Sequence, residues 1–151
     1  MATFPPISRL TLSDIRRNSI DLTAAQILLL LGTPVVLVPA PGVGFQIVPL
    51  FIIVHFFGGT VAFTNAGGAV NVKVGATMLQ ALAEQFITTV APNRTVSTIA
   101  FGGTLPLASS AGNPPDTDNA PLTINKITNN YANAGTGTAR VTAFYTIEPT
   151  T

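Results

Sequence analysis

Residues 35–57 read V-V-L-V-P-A-P-G-V-G-F-Q-I-V-P-L-F-I-I-V-H-F-F, two long apolar runs around a tight Pro-Ala-Pro-Gly-Val-Gly connection. Pro41 presets φ near −65°, and Gly42 and Gly44 accept the positive φ that a reversal needs. The pattern therefore predicts a hairpin of two strands. Along the second strand, strict alternation puts Phe45, Ile47, Phe51 and Ile53 on one face. Val48, Leu50, Ile52, Val54 and Phe56 fall on the other, so neither face is polar. A strand that is apolar on both sides is covered on both sides. One cover is the domain's own core; the other is expected from a second subunit or a larger body. On that reading Leu50, Ile52, Val54 and Phe56 are the expected subunit contacts.

Composition points the same way. The 151 residues suit one domain large enough to bury its own core. Hydrophobic residues make up 47 % and charged residues 9 %, a surface better suited to assembly than to free diffusion. The net charge of +1 makes no electrostatic case for nucleic acid or an anionic membrane. Arg9, Arg16 and Arg17 cluster near the N-terminus, with Asp14 and Asp21 among them, and read as a solvated or partner-facing segment. No cysteine is present, so disulfides and thiolate metal sites are excluded. Pro5 and Pro6 argue against a secretory leader. No charge falls between Asp21 and Lys73, but Pro34, Pro39, Pro41 and Pro49 cut this stretch into pieces too short for a membrane-crossing helix.

Around the central stretch the chain divides into residues 1–20, an expected extended N-terminal arm, and residues 21–151, a single β domain. Draping over a neighbour and simple disorder both fit the arm. Thr23 and Gln26 have capping-box spacing, with Leu22 and Ile27 as a staple, predicting a short helix that Gly32 and Pro34 end. Thr60 to Phe63 reads as a short edge strand, and Ala69 to Val74 alternates as a strand. Leu79, Leu82, Ala83 and Phe86 share a helical stripe, predicting a second short helix over 76–86. Ile87 to Val90 and Val96 to Phe101 read as strands. A Pro/Gly-rich surface loop follows at 102–121, then strands at 122–128 and 138–147. The sum is a mainly-β fold, a β-sandwich or jelly-roll-like domain with two short helices.

Catalytic chemistry is not legible. His55 is the one histidine and lies in the most apolar strand, where an imidazole serves better as a hydrogen-bonded core or interface residue. No serine stands in a nucleophile elbow, and Gly42-Val43-Gly44 has neither the third glycine of a dinucleotide loop nor the Lys-Ser/Thr of a phosphate loop. Asp116 and Asp118 lack the further carboxylate and glycine of a calcium loop. No catalytic, cofactor-binding or metal-binding residue is assigned, and the chain is read as a non-enzyme.

Two segments carry a resemblance. Leu22 to Gly44, L-T-A-A-Q-I-L-L-L-L-G-T-P-V-V-L-V-P-A-P-G-V-G, and Gly137 to Tyr145, G-T-A-R-V-T-A-F-Y, are similar to a family of small tailed-bacteriophage virion proteins. The likeness spans roughly 22–57 and 120–147, and departs at Phe45, where a lysine is common. It implies a capsid decoration, or cement, protein on the outer surface of the head. Such a protein binds the major capsid protein as a homotrimer and clamps neighbouring capsomers. In that role the N-terminal segment with Arg16 and Arg17 would touch the shell. A second reading, a tail or fibre module recognising a host receptor or glycan, would use Asn129, Asn130, Tyr131 and the 102–121 loop. Against it stand the lack of tryptophan and a tyrosine count of two.

Overall fold

The computed structural model describes residues 14–64, 68–82, 94–98, 117–126, 128–133 and 135–150. Within them, strand β1 (Arg16–Leu22) leads into helix α1 (Ala24–Leu28), followed by β2 (Val35–Val38) and β3 (Phe45–Phe57). Then come β4 (Val70–Val74), β5 (Thr77–Leu82), β6 (Arg94–Thr98), β7 (Leu122–Lys126) and β8 (Thr138–Pro149). The strands form two four-stranded sheets, in the orders β1-β8-β3-β6 and β2-β7-β4-β5. β1 pairs with β8, β2 with β7, β3 with β6 and β4 with β5, all antiparallel. The ordinals of each pair sum to nine, as when one long ribbon is folded back on itself and then rolled. This is the jelly-roll order of a mainly-β sandwich.

The core lies between the sheets. Ile52, Val54 and Phe56 of β3 and Val141 and Ala143 of β8 meet Leu37, Val72, Leu122 and Ile124 from the other sheet, all buried. Each fully buried aliphatic or aromatic side chain contributes about 1.5–3 kcal/mol. Alternation in β4 and β8 delivers these residues inward without interruption. Asn18 bridges the two sheets at their β1/β2 edge, its Nδ2 donating to the Leu37 carbonyl. Helix α1 starts as its sequence dictates: the Thr23 hydroxyl accepts from the Gln26 N–H at 3.3 Å, and Gln26 Oε1 accepts from the Thr23 N–H at 2.9 Å. Leu22 and Ile27, on either side of the cap, are both buried.

Four expectations are corrected. The 39–44 connection does turn through positive φ at Gly42 and Gly44, but it carries the chain from one sheet to the other, so β2 and β3 are not a hairpin. The second helix is absent from the described part of 76–86. Gly75, at φ +57°, turns β4 directly into β5 with Val74 opposite Thr77, a two-residue hairpin with glycine at its first central position. β1 begins at Arg16, so residues 16–20 belong to the sheet rather than to an arm. Residues 60–63 are irregular. The expected strand at 87–90, the loop over 102–116 and the arm before residue 14 lie outside the described residues.

Candidate interaction surfaces

A β-bulge in β3 rearranges the faces on which the expected subunit contacts were drawn. Its register against β8 shifts between Pro49 and Phe51, so Leu50 is the extra residue and parity reverses there. Ile47 and Pro49 therefore point inward before the bulge, and Ile52, Val54 and Phe56 point inward after it. The last three are buried in the protomer's own core and are closed to a neighbour, which corrects their assignment as subunit contacts. Leu50 is half-buried at the bulge itself. Arg16 and Arg17 are both exposed, on β1.

The second apolar face of β3 is real, and after the bulge it consists of Phe51 and Ile53. On the outer side of the β1-β8-β3-β6 sheet, register aligns three rows. Arg17, Phe144 and Phe51 form the first; Ser19, Thr142 and Ile53 the second; Asp21, Arg140, His55 and Thr95 the third. In the first row the Phe51 and Phe144 rings stack at 4.2 Å, and the Arg17 guanidinium lies 5.8 Å from the Phe144 centroid. In the second, Ser19 and Thr142 share a hydroxyl hydrogen bond of 2.9 Å. In the third, Arg140 donates Nε and Nη2 to the two Asp21 oxygens at 2.7 and 3.0 Å. That fork holds the Asp21 carboxyl below its ordinary pKa and raises the Arg140 guanidinium. His55 Nδ1 and the Thr95 hydroxyl lie 2.7 Å apart, and the His55 ring packs 4.4 Å from Phe57. The result is an aromatic and aliphatic centre, half-buried at Phe51, Ile53 and Phe144, with charges on the β1 side.

At one end of the sandwich the Pro39–Gly44 connection is held as a rigid tip. Asn119 Oδ1 accepts from the Gly42 N–H and Asp118 Oδ1 from the Gly44 N–H, both at 3.0 Å. The Asn119 N–H donates to the Phe45 carbonyl at 2.8 Å, and the Thr150 N–H to the Gly44 carbonyl at 3.0 Å. Phe45 closes the turn by donating its N–H to the Gly42 carbonyl at 3.2 Å. Asp118 also accepts from the Thr150 hydroxyl at 2.8 Å, so this carboxylate fastens the C-terminal strand to the turn. Between these anchors Val43 stands 80 % exposed. Sequence reading weighed Asp118 only as a calcium ligand and missed the clamp, whose partners lie 74 and 77 residues away in the chain.

Two residues of the receptor-binding reading, Tyr131 and Asn130, are used inside the fold, Asn129 is exposed, and 102–116 of its loop lie outside the described residues. Tyr131 is buried, its ring 5.3 Å from Phe63. Lys126 Nζ lies 3.9 Å over the Tyr131 ring and donates to the Gly68 carbonyl at 3.2 Å. Asn130 Oδ1 accepts from the Leu31 N–H at 2.9 Å, tying the α1 loop to the β7–β8 connection. Among the described residues no group of three or more His, Cys, Asp or Glu is arranged to hold a metal ion, and no helix is long and apolar enough to cross a membrane.

No protein-family model matches the chain, and no curated protein matches it. A solved structure does: a chain of the "Cyanophage Pam1 capsid asymmetric unit" superposes with a TM-score of 0.50 at 15 % identity, covering 96 % of this chain and 97 % of that one. The two share a fold from end to end.

Proposed function

We propose that the protein is a non-enzymatic structural component of a phage virion, a capsid decoration or cement protein. It sits on the outer surface of the major capsid protein shell and associates with itself as a homotrimer. The observation that carries the reading is an end-to-end fold likeness to a chain of a cyanophage capsid. The low charge of 9 % and the tailed-phage motifs of residues 22–44 and 137–145 support it. The outer face of the β1-β8-β3-β6 sheet is the surface offered to the shell, with Ile53, Phe51 and Phe144 at its centre and Arg17 at its rim. Flat apolar centres with a polar margin are the usual anatomy of a protein interface. The tail-module reading is weaker, because Tyr131 is buried and Asn130 is already hydrogen-bonded.

The test is to add purified protein to undecorated phage heads, then to measure co-sedimentation and heat tolerance. The proposal expects saturable binding and heads that resist a higher temperature. It expects Ile53→Lys and Arg17→Glu to weaken binding by at least about tenfold, the effect of losing one well-placed contact. Heads that neither bind nor gain tolerance would overturn it, and selective retention on a glycan array would favour the tail module.

A further inference from the structure

The third row of the outer sheet face holds the chain's single histidine. His55 follows Ile53 by two residues on β3, so it borders the apolar centre of the face offered to the shell. It is half-buried, its ring 4.4 Å from that of Phe57 and its Nδ1 2.7 Å from the Thr95 hydroxyl on the edge strand β6. Its register partner on β8 is Arg140, which is already forked to Asp21. We infer that His55 makes docking of this face pH-dependent: the neutral imidazole is the binding form, and protonation in mild acid loosens the protein from the shell. The inference rests on the shell-facing reading above and adds its regulation.

From β8 the group facing His55 is Arg140, from β1 it is Asp21 beyond Arg140, and from β6 it is the uncharged Thr95. On its own strand the apolar Ile53 and Phe57 flank it. Arg94, beside Thr95, is in register with Phe56 and not with His55. Asp21 and Arg140 cancel, so the row is neutral while the imidazole is neutral and gains one uncompensated positive charge on protonation. Histidine is the side chain whose charge ordinarily changes between about pH 5 and 8. Over that range the fork keeps its charges, because the hydrogen bonds from Arg140 hold the Asp21 carboxyl below its ordinary pKa. Docking takes the row out of water, and an unpaired charge at the edge of an apolar contact is harder to desolvate than a neutral ring. Thr95 keeps the change local. Its hydroxyl can donate to a bare Nδ1 or accept from an N–H, so its bond to His55 survives in either charge state. The added charge is therefore felt at the interface and not in the fold.

The test is co-sedimentation of the full chain with undecorated phage heads at about pH 8 and about pH 5.5, spanning the histidine range. Wild-type affinity is expected to fall about tenfold on acidification, the limit that one imidazole allows over that span, and to recover when the pH is raised again. His55→Gln keeps a polar side chain beside Thr95 but removes the titrating ring, and His55→Asn is a second such variant. Whatever their affinity at the higher pH, both should lose the acid-dependent fall. Melting of each protein at both pH values checks that none unfolds in the acid arm. Equal wild-type binding at the two values, or binding that tightens in acid, would overturn the inference. So would a His55→Gln protein with the full wild-type fall, because the shell would then be the titrating partner. Its failure is separable from that of the cement reading. Saturable binding indifferent to pH sinks the switch and spares the function; heads that bind at neither pH sink both.

Discussion

A methyl group is enough to test the packing at Gly135. A Cβ there would lie 2.5 Å from Phe63 Cδ2, and the Phe63 ring is fully buried between Phe56 and Tyr131. With the ring unable to yield, Gly135→Ala is expected to cost about 1–3 kcal/mol, read as a lower urea midpoint. Gly32→Ala, whose nearest neighbour is at 4.0 Å, should be close to neutral. The Asp21–Arg140 fork gives a second residue-scale prediction. Because the folded Asp21 pKa is depressed, the stability it contributes is present above the unfolded value near 4 and is lost as pH falls through the folded value. Asp21→Asn should therefore lower the unfolding midpoint slightly at pH 7, and the difference from wild type should vanish on acidification below about pH 4. A difference that persists in acid would mean that the fork is not its source.

At the scale of elements, Gly75 decides between a hairpin and a helix. Its φ of +57° costs a residue with a Cβ about 1–2 kcal/mol. Gly75→Val should destabilise by that amount in denaturant titrations, whereas a helix starting at Ala76 would not notice the change. The same element explains what was hidden in the sequence. Leu79 and Leu82 stand at helical spacing, and local periodicity has no access to the ladder that Val70 to Val74 offers, whose register shifts between Val72 and Lys73. The capping box at Thr23 was legible because both its partners are local. The inward and outward sets of β8 were legible because no bulge interrupts them. In β3 the two apolar faces could be read, but one extra residue at Leu50 exchanged which members were core. The Pro39–Gly44 turn was visible as a turn, and its crossing between sheets was not. Whether two strands pair or part depends on what else each can pair with.

For the whole molecule, the uncharged stretch from residue 22 to residue 72 suits the assembly proposed above. Assembly couples stability to concentration. On the proposed self-association, a tenfold rise in protein concentration should raise the melting temperature by roughly 2–4 °C, measured by calorimetry, and a melting temperature independent of concentration would count against it. The strand order also governs how quickly the chain reaches its native state. β4 and β5 meet across two residues, but Asp21 meets Arg140 only after 119. Closing the outer pairs first would carry a large entropic penalty, so the innermost hairpin nucleates and the ribbon zips outward from it. Refolding should take milliseconds to seconds. Substitutions at Gly75 should slow it, and those at the β1–β8 margin should instead hasten unfolding.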